Sequence, residues 1–196
     1  MQHDFLQPPE APITPQGTAW SDPVSPRHLR LEVVTDGRRL VGIVQQPTAA
    51  RLVDLLNWTE EAALALADVE ITPLELHGEA AHRSPLAHVR KQAIAFTIPR
   101  EEGPVAVNRR PLEYVEKRPW RVSALLARFL VSGYLHLPPA ADPANASLFW
   151  NAGFVALTDA EAVFLPNPAT TWKAAVIIVN SARAEAYCPP ATPAGE

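Results

Sequence analysis

Residues 64–72 read LALADVEIT and residues 155–163 read VALTDAEAV. Aligned on their aspartates, they place Leu66 on Leu157, Asp68 on Asp159 and Glu70 on Glu161, a displacement of 91 residues. The same displacement carries Arg30 onto Arg121, Gly42 onto Gly133, Pro47 onto Pro138 and Leu74 onto Leu165 without a gap. With one residue dropped, LAHVRKQAIAFTIP (86–99) lies over VIIVNSARAEAYCP (176–189), now displaced by 90. A fixed period that keeps a Gly and a Pro in register is the sign of an internal repeat, so two copies of one small unit are expected.

Working outward, the first unit is rich in strand signals. LRLEVVT (29–35) alternates apolar and polar residues, Asp36-Gly37 offers a two-residue hairpin turn with Gly37 free to take positive φ, and RRLVGIVQQP (38–47) returns. AARLVDLLNW (49–58) spaces Leu52, Leu55 and Leu56 for a short helix. AALALADVEITPLEL (62–76) supplies one or two strands, a loop bearing histidines follows, and KQAIAFTI (91–98) is the last strand. In the second unit, residues 122–131, VSALLARFLV, suit a helix as well as a strand by propensity. The repeat decides for strands, with Ala127-Arg128 where Asp36-Gly37 stands in the first unit.

The domain organisation follows. Residues 1–26 hold six prolines, three acids and no Lys or Arg, the composition of an extended arm with little to bury. Residues 27–99 form the first β unit, 100–118 a charged, Pro-bounded linker, 119–190 the second unit and 191–196 a tail. The expected class is mainly β: two tandem small β-barrels or sheets, each with a short helix, plus Pro-rich tails.

In outline each unit resembles the Sm-like and SH3-like small β-barrels, a resemblance without a specific motif. GYLHLP (133–138) with VALTDA (155–160) also resembles an uncharacterised bacterial domain type that pairs such strands. The Sm-like outline implies RNA or nucleotide binding, for which Arg38 and Arg39 beside the first hairpin are the candidates. The first unit has eight basic and nine acidic residues, and the chain's net charge is -4, so composition supplies no electrostatic footprint for nucleic acid.

Other chemistry is poorly supported. Cys188, the one cysteine, follows Tyr187 with no helix start beside it, so it reads as a small, partly buried residue rather than a nucleophile. His77, His82 and His88 have spacings that fit neither a helix face nor alternate strand positions, so loop histidines are expected, not a metal site. Asp68 with Glu70, and Asp159 with Glu161, sit two apart, as paired carboxylates would on one strand face. Their recurrence favours a structural role, the aspartates accepting hydrogen bonds from a nearby turn. There is no Gly-rich phosphate loop, nucleophile elbow or metalloprotease helix. No enzymatic activity and no cofactor are expected.

The units differ in aromatic content. The second carries Trp120, Tyr134, Phe149, Trp150 and Trp172 among others, against Trp58 and Phe96 in the first. A small domain has little interior for so many rings. These five residues, with Trp20 in the arm, are therefore the candidate contacts for another protein or a second copy of the chain. A small ligand between the units is a further alternative. With no apolar run long enough to span a membrane and no signal-peptide pattern at the N-terminus, a cytoplasmic location is expected.

Overall fold

The computed structural model describes residues 27–46, 51–75, 80–100, 116–145, 147–151 and 153–189. The arm with Trp20, most of the linker, His77 and the tail lie outside them. The first half contains β1 (Arg27–Thr35), β2 (Arg38–Gln46), α1 (Leu52–Asn57), β3 (Ala63–Pro73), β4 (His82–Arg90) and β5 (Ile94–Pro99). The second contains β6 (Arg118–Leu126), β7 (Phe129–Leu137), α2 (Ser147–Trp150), β8 (Phe154–Phe164), β9 (Thr171–Asn180) and β10 (Ala184–Cys188). Residues 122–131 are strand, turning at Ala127-Arg128.

All ten strands join one antiparallel sheet, in the order β10-β6-β7-β8-β9-β5-β1-β2-β3-β4. The halves do not close into barrels. The free side of β5, which could have closed the first half on β4, is taken by β9, with Phe96 opposite Val179 and Thr97 opposite Ile178. The sheet is left open, with β4 and β10 at its two edges.

Three local expectations also change. The stretch expected to be a histidine loop holds a strand: His82 and His88 are exposed residues of β4. Gly37 is not a positive-φ residue, so its turn does not rely on the left-handed region. Cys188 is exposed rather than partly buried.

The eleven-residue strands β3 and β8 show the same irregularity. Between the pairs Val41–Glu70 and Ile43–Ala67, β3 holds one residue more than β2. Between Ser132–Glu161 and Tyr134–Thr158, β8 likewise exceeds β7. The extra residue makes a bulge, which bends the strand and shifts its inward positions, so burial passes from Leu66 to Val69 and from Leu157 to Ala160. Each bulge opens on an aspartate in the left-handed region, Asp68 at φ 48 and Asp159 at φ 45, where Asp is among the few side chains tolerated. Each faces a glycine: a Cβ on Gly42 would lie 2.9 Å from Ala67 O, and one on Gly133 2.9 Å from the Cβ atoms of Leu157 and Ala160. Neither aspartate side chain has a hydrogen-bond partner among the described residues. What recurs at these positions is the backbone conformation, not the acceptor role expected of the carboxylates.

Two apolar cores lie along the sheet. One gathers Leu31, Val33 and Leu66 under the three helix leucines, the other Phe129, Leu157 and Phe164. The central strands feed both. Phe154 and Ile178 of the second half enter the first core, while Val34, Phe96 and Ile98 of the first half enter the second.

Candidate functional site

The junction of the halves is the most elaborated region. Along β1, Leu29, Leu31 and Val33 point to the first core, so Glu32 would face solvent in an isolated half. In the whole chain it is fully buried, with partners from both halves. Its carboxylate accepts from Arg39 Nε at 2.7 Å, Arg100 Nε at 2.6 Å and Trp172 Nε1 at 2.7 Å. Burial pushes the Glu32 pKa up, but hydrogen bonds and charge from the two arginines outweigh it, holding the carboxyl below its ordinary value.

Polar ties complete the seam. Asn57, at the end of α1, donates from Nδ2 to Phe154 O (2.9 Å) and accepts from Phe154 N (2.7 Å). Asn180 donates to the carbonyls of Lys91 and Ile94. Around the first hairpin turn, Arg128 donates to Asp36 O while Arg183 pairs with the Asp36 carboxylate. Lys91 is buried and donates to Leu55 O and Trp58 O, finishing α1; burial lowers its pKa despite the opposing charge of Glu61.

The aromatic residues read as contact candidates are largely consumed by this interior. Trp172 and Phe149 are buried in the second core, Phe149 stacking on Tyr187 at 5.0 Å. Phe96 of the first half meets Phe129 and Trp172 edge-on at 5.2 and 5.5 Å. Trp120 and Trp150 are half-buried against the same core, and Tyr134, also half-buried, lies under the Arg121 guanidinium. Of the two arginines, Arg39 is tied to Glu32, and Arg38 is exposed with Nη1 on Gly37 O. Sequence reasoning missed Glu32, Asn57 and Asn180. All three act across the junction, and no local pattern signals that.

Two grooves open on the surface. One, of about 290 Å³, lies between the halves and is lined by Arg39, Thr72, Leu74, Thr170, Thr171 and Trp172. The other, of about 530 Å³, runs beside β3 and β4 and holds Asp68 and Glu70 with Arg30 and Arg83. Asp68 is exposed and lies beside Glu70 in this groove. Glu70 is paired across the strands with Arg83 at 3.0 Å, as Glu161 is with Lys173 at 3.4 Å. Among the described residues no cluster of three metal-ligating side chains is present, and no helix is long and apolar enough to cross a membrane.

Comparison with family models, with curated proteins and with solved structures gives no match.

The remaining feature with binding capacity is the pair of sheet edges. Among the described residues, nothing pairs with the outer side of β4 or of β10. Leu86, on β4, is 52% exposed.

Proposed function

We propose that this chain is a non-enzymatic interaction or assembly module, a tandemly duplicated small β unit that binds polypeptide through its open sheet edges. The duplication is supported by the order β5-β1-β2-β3-β4 in one half against β10-β6-β7-β8-β9 in the other, and by the paired bulges at Asp68 and Asp159. The observation that carries the function is the β5·β9 seam, where this architecture already joins one unit to another by adding strand to strand. An edge strand recognises an extended partner through its unpaired N–H and C=O groups, with side chains setting specificity. A second reading, a small ligand held between the units, has in its favour the groove beside Trp172 and Arg39.

The test is light scattering of the full chain over a wide concentration range, with affinity capture from cells that express it. Both are repeated on Leu86→Lys and Cys188→Lys, which place a charge at an exposed position of each edge. A self-associated or captured polypeptide lost from either variant supports the reading. A monomer with no captured polypeptide, or a partner indifferent to both charges, sinks it.

A further inference from the structure

The β5·β9 seam is a template for something outside the chain. Strand β9 is the fourth strand of the second half, and β4 is the fourth of the first; β5 and β10 are the fifth strands. The seam uses the fourth strand of one half and the fifth of the other, and it leaves the other fourth and fifth strands as the two free edges. The molecule therefore displays at its ends the same two kinds of edge that it joins in its middle.

The seam also supplies a register. Phe96 lies opposite Val179, and Thr97 opposite Ile178. Their counterparts, 90 residues away in each case, are Ala186 opposite Val89 and Tyr187 opposite His88. Continuing the antiparallel count one step puts Cys188 opposite Ala87; at the other end Glu185, the bulged residue of β10 between Ala184 and Ala186, comes beside Arg90. Glu185 and Arg90 are both exposed, opposite in charge and without a partner among the described residues. A cross-strand pair of that kind is favourable, where two like charges would repel. Arg90 also stands where Asn180 stands in the seam, so it brings donors to the place where Asn180 caps two carbonyls.

Burial points the same way. In the seam, Phe96 and Ile98 reach past their own half into the core of the other and are fully or almost fully buried. Their counterparts on β10, Ala186 and Cys188, are half-buried and exposed. They are covered once a neighbour places Ala87 and Val89 beside them.

We infer that copies of this chain associate head to tail, β10 of one copy adding to β4 of the next with Cys188 opposite Ala87 and Glu185 beside Arg90. The inference rests on the module reading and names its partner as a second copy. The contact is heterologous, so repetition either closes a ring or extends a filament. It is a short pairing of small and polar side chains, without the Trp172–Glu32 tie of the internal seam, and it forms at high concentration and reverses on dilution.

The experiment is disulfide trapping. Residues directly opposite in an antiparallel pair have Cα atoms about 4.5–5.5 Å apart, within reach of a disulfide. Under mild oxidation, Ala87→Cys beside the native Cys188 is expected to give a ladder of covalent multimers. Ser84→Cys, three positions out of register on the same strand, is expected to give none above the wild-type background. In light scattering, Arg90→Glu or Glu185→Arg alone is expected to lose the association, and the two together to restore it. A cross-linking rate for Ala87→Cys no greater than for Ser84→Cys, or no restoration by the double reversal, overturns the inference. If trapping fails while Leu86→Lys still releases a different polypeptide, self-pairing is overturned and the module reading stands. A monomer that captures nothing overturns both.

Discussion

Trp172 Nε1 donates to Glu32 Oε1 at 2.7 Å across 140 positions of chain, and both residues are buried. The bond lets a carboxylate sit between two apolar halves. It occupies one oxygen from the second half, while Arg39 and Arg100 compensate the charge from the first. A buried charge is tolerated only when paired and hydrogen-bonded, so all four residues form one unit.

Glu32→Gln leaves the guanidinium groups of Arg39 and Arg100 without their shared charge and is expected to destabilise the fold by about 3 kcal/mol near neutral pH. The pH dependence has a definite sign. The folded-state pKa of Glu32 lies below its ordinary 4.5, so its contribution is present above that value and is lost as pH falls through the folded value. Thermal melts at successively lower pH should show the wild type losing stability in this window, with that component missing from Glu32→Gln. Parallel curves for the two proteins would contradict it.

The bulge aspartates are tested by separating conformation from charge. Asp159→Gly keeps access to the left-handed region and should change stability little, whereas Asp159→Val should cost about 1–2 kcal/mol. The same pair at Asp68 should behave alike. Denaturant midpoints decide it; equal losses for Gly and Val at either site would show that the carboxylate, not the backbone, is what the position requires.

Gly133→Ala sets a methyl group 2.9 Å from the Cβ atoms of Leu157 and Ala160 and should cost about 1–3 kcal/mol through overpacking. Gly37→Ala meets nothing within 4 Å and needs no left-handed backbone, so it should be neutral or slightly stabilising. Calorimetric melts of the two variants should therefore diverge.

Lys91→Met preserves the aliphatic stem but removes the donor to Leu55 O and Trp58 O. Trp58 O loses this donor and Leu55 O keeps only the longer bond from Trp58 N, so a loss of about 1–3 kcal/mol is expected. Amide exchange in α1 should accelerate more than exchange in β7, which lies in the other half. A uniform change would mean that the lysine serves the whole fold rather than the helix end.

Much of the strand layout was legible in the residues. Alternation in 29–35, the Asp36-Gly37 turn and Pro47 delimit β1 and β2, and the spacing of Leu52, Leu55 and Leu56 marks α1. The repeat carried 122–131 to strand against its helical propensity, because Gly133 and Pro138 kept the register that Ala and Leu obscured. The edge strand β4 was hidden because His, Arg, Ser and Pro on an exposed strand resemble a loop. Of its nine residues only Val89 is buried, so β4 has no apolar alternation to display.

The sequence by itself determined a mainly β chain with a recurring pattern, since alternation, turn residues and period are properties of neighbours along the backbone. Only the tertiary structure decided that the sheet stays open and continuous, that Glu32 is buried rather than solvated, and that the aromatic residues of the second half lie largely in its core. Those outcomes depend on which strand meets the free side of β5. That strand is β9 of the other half, and no local pattern records the meeting.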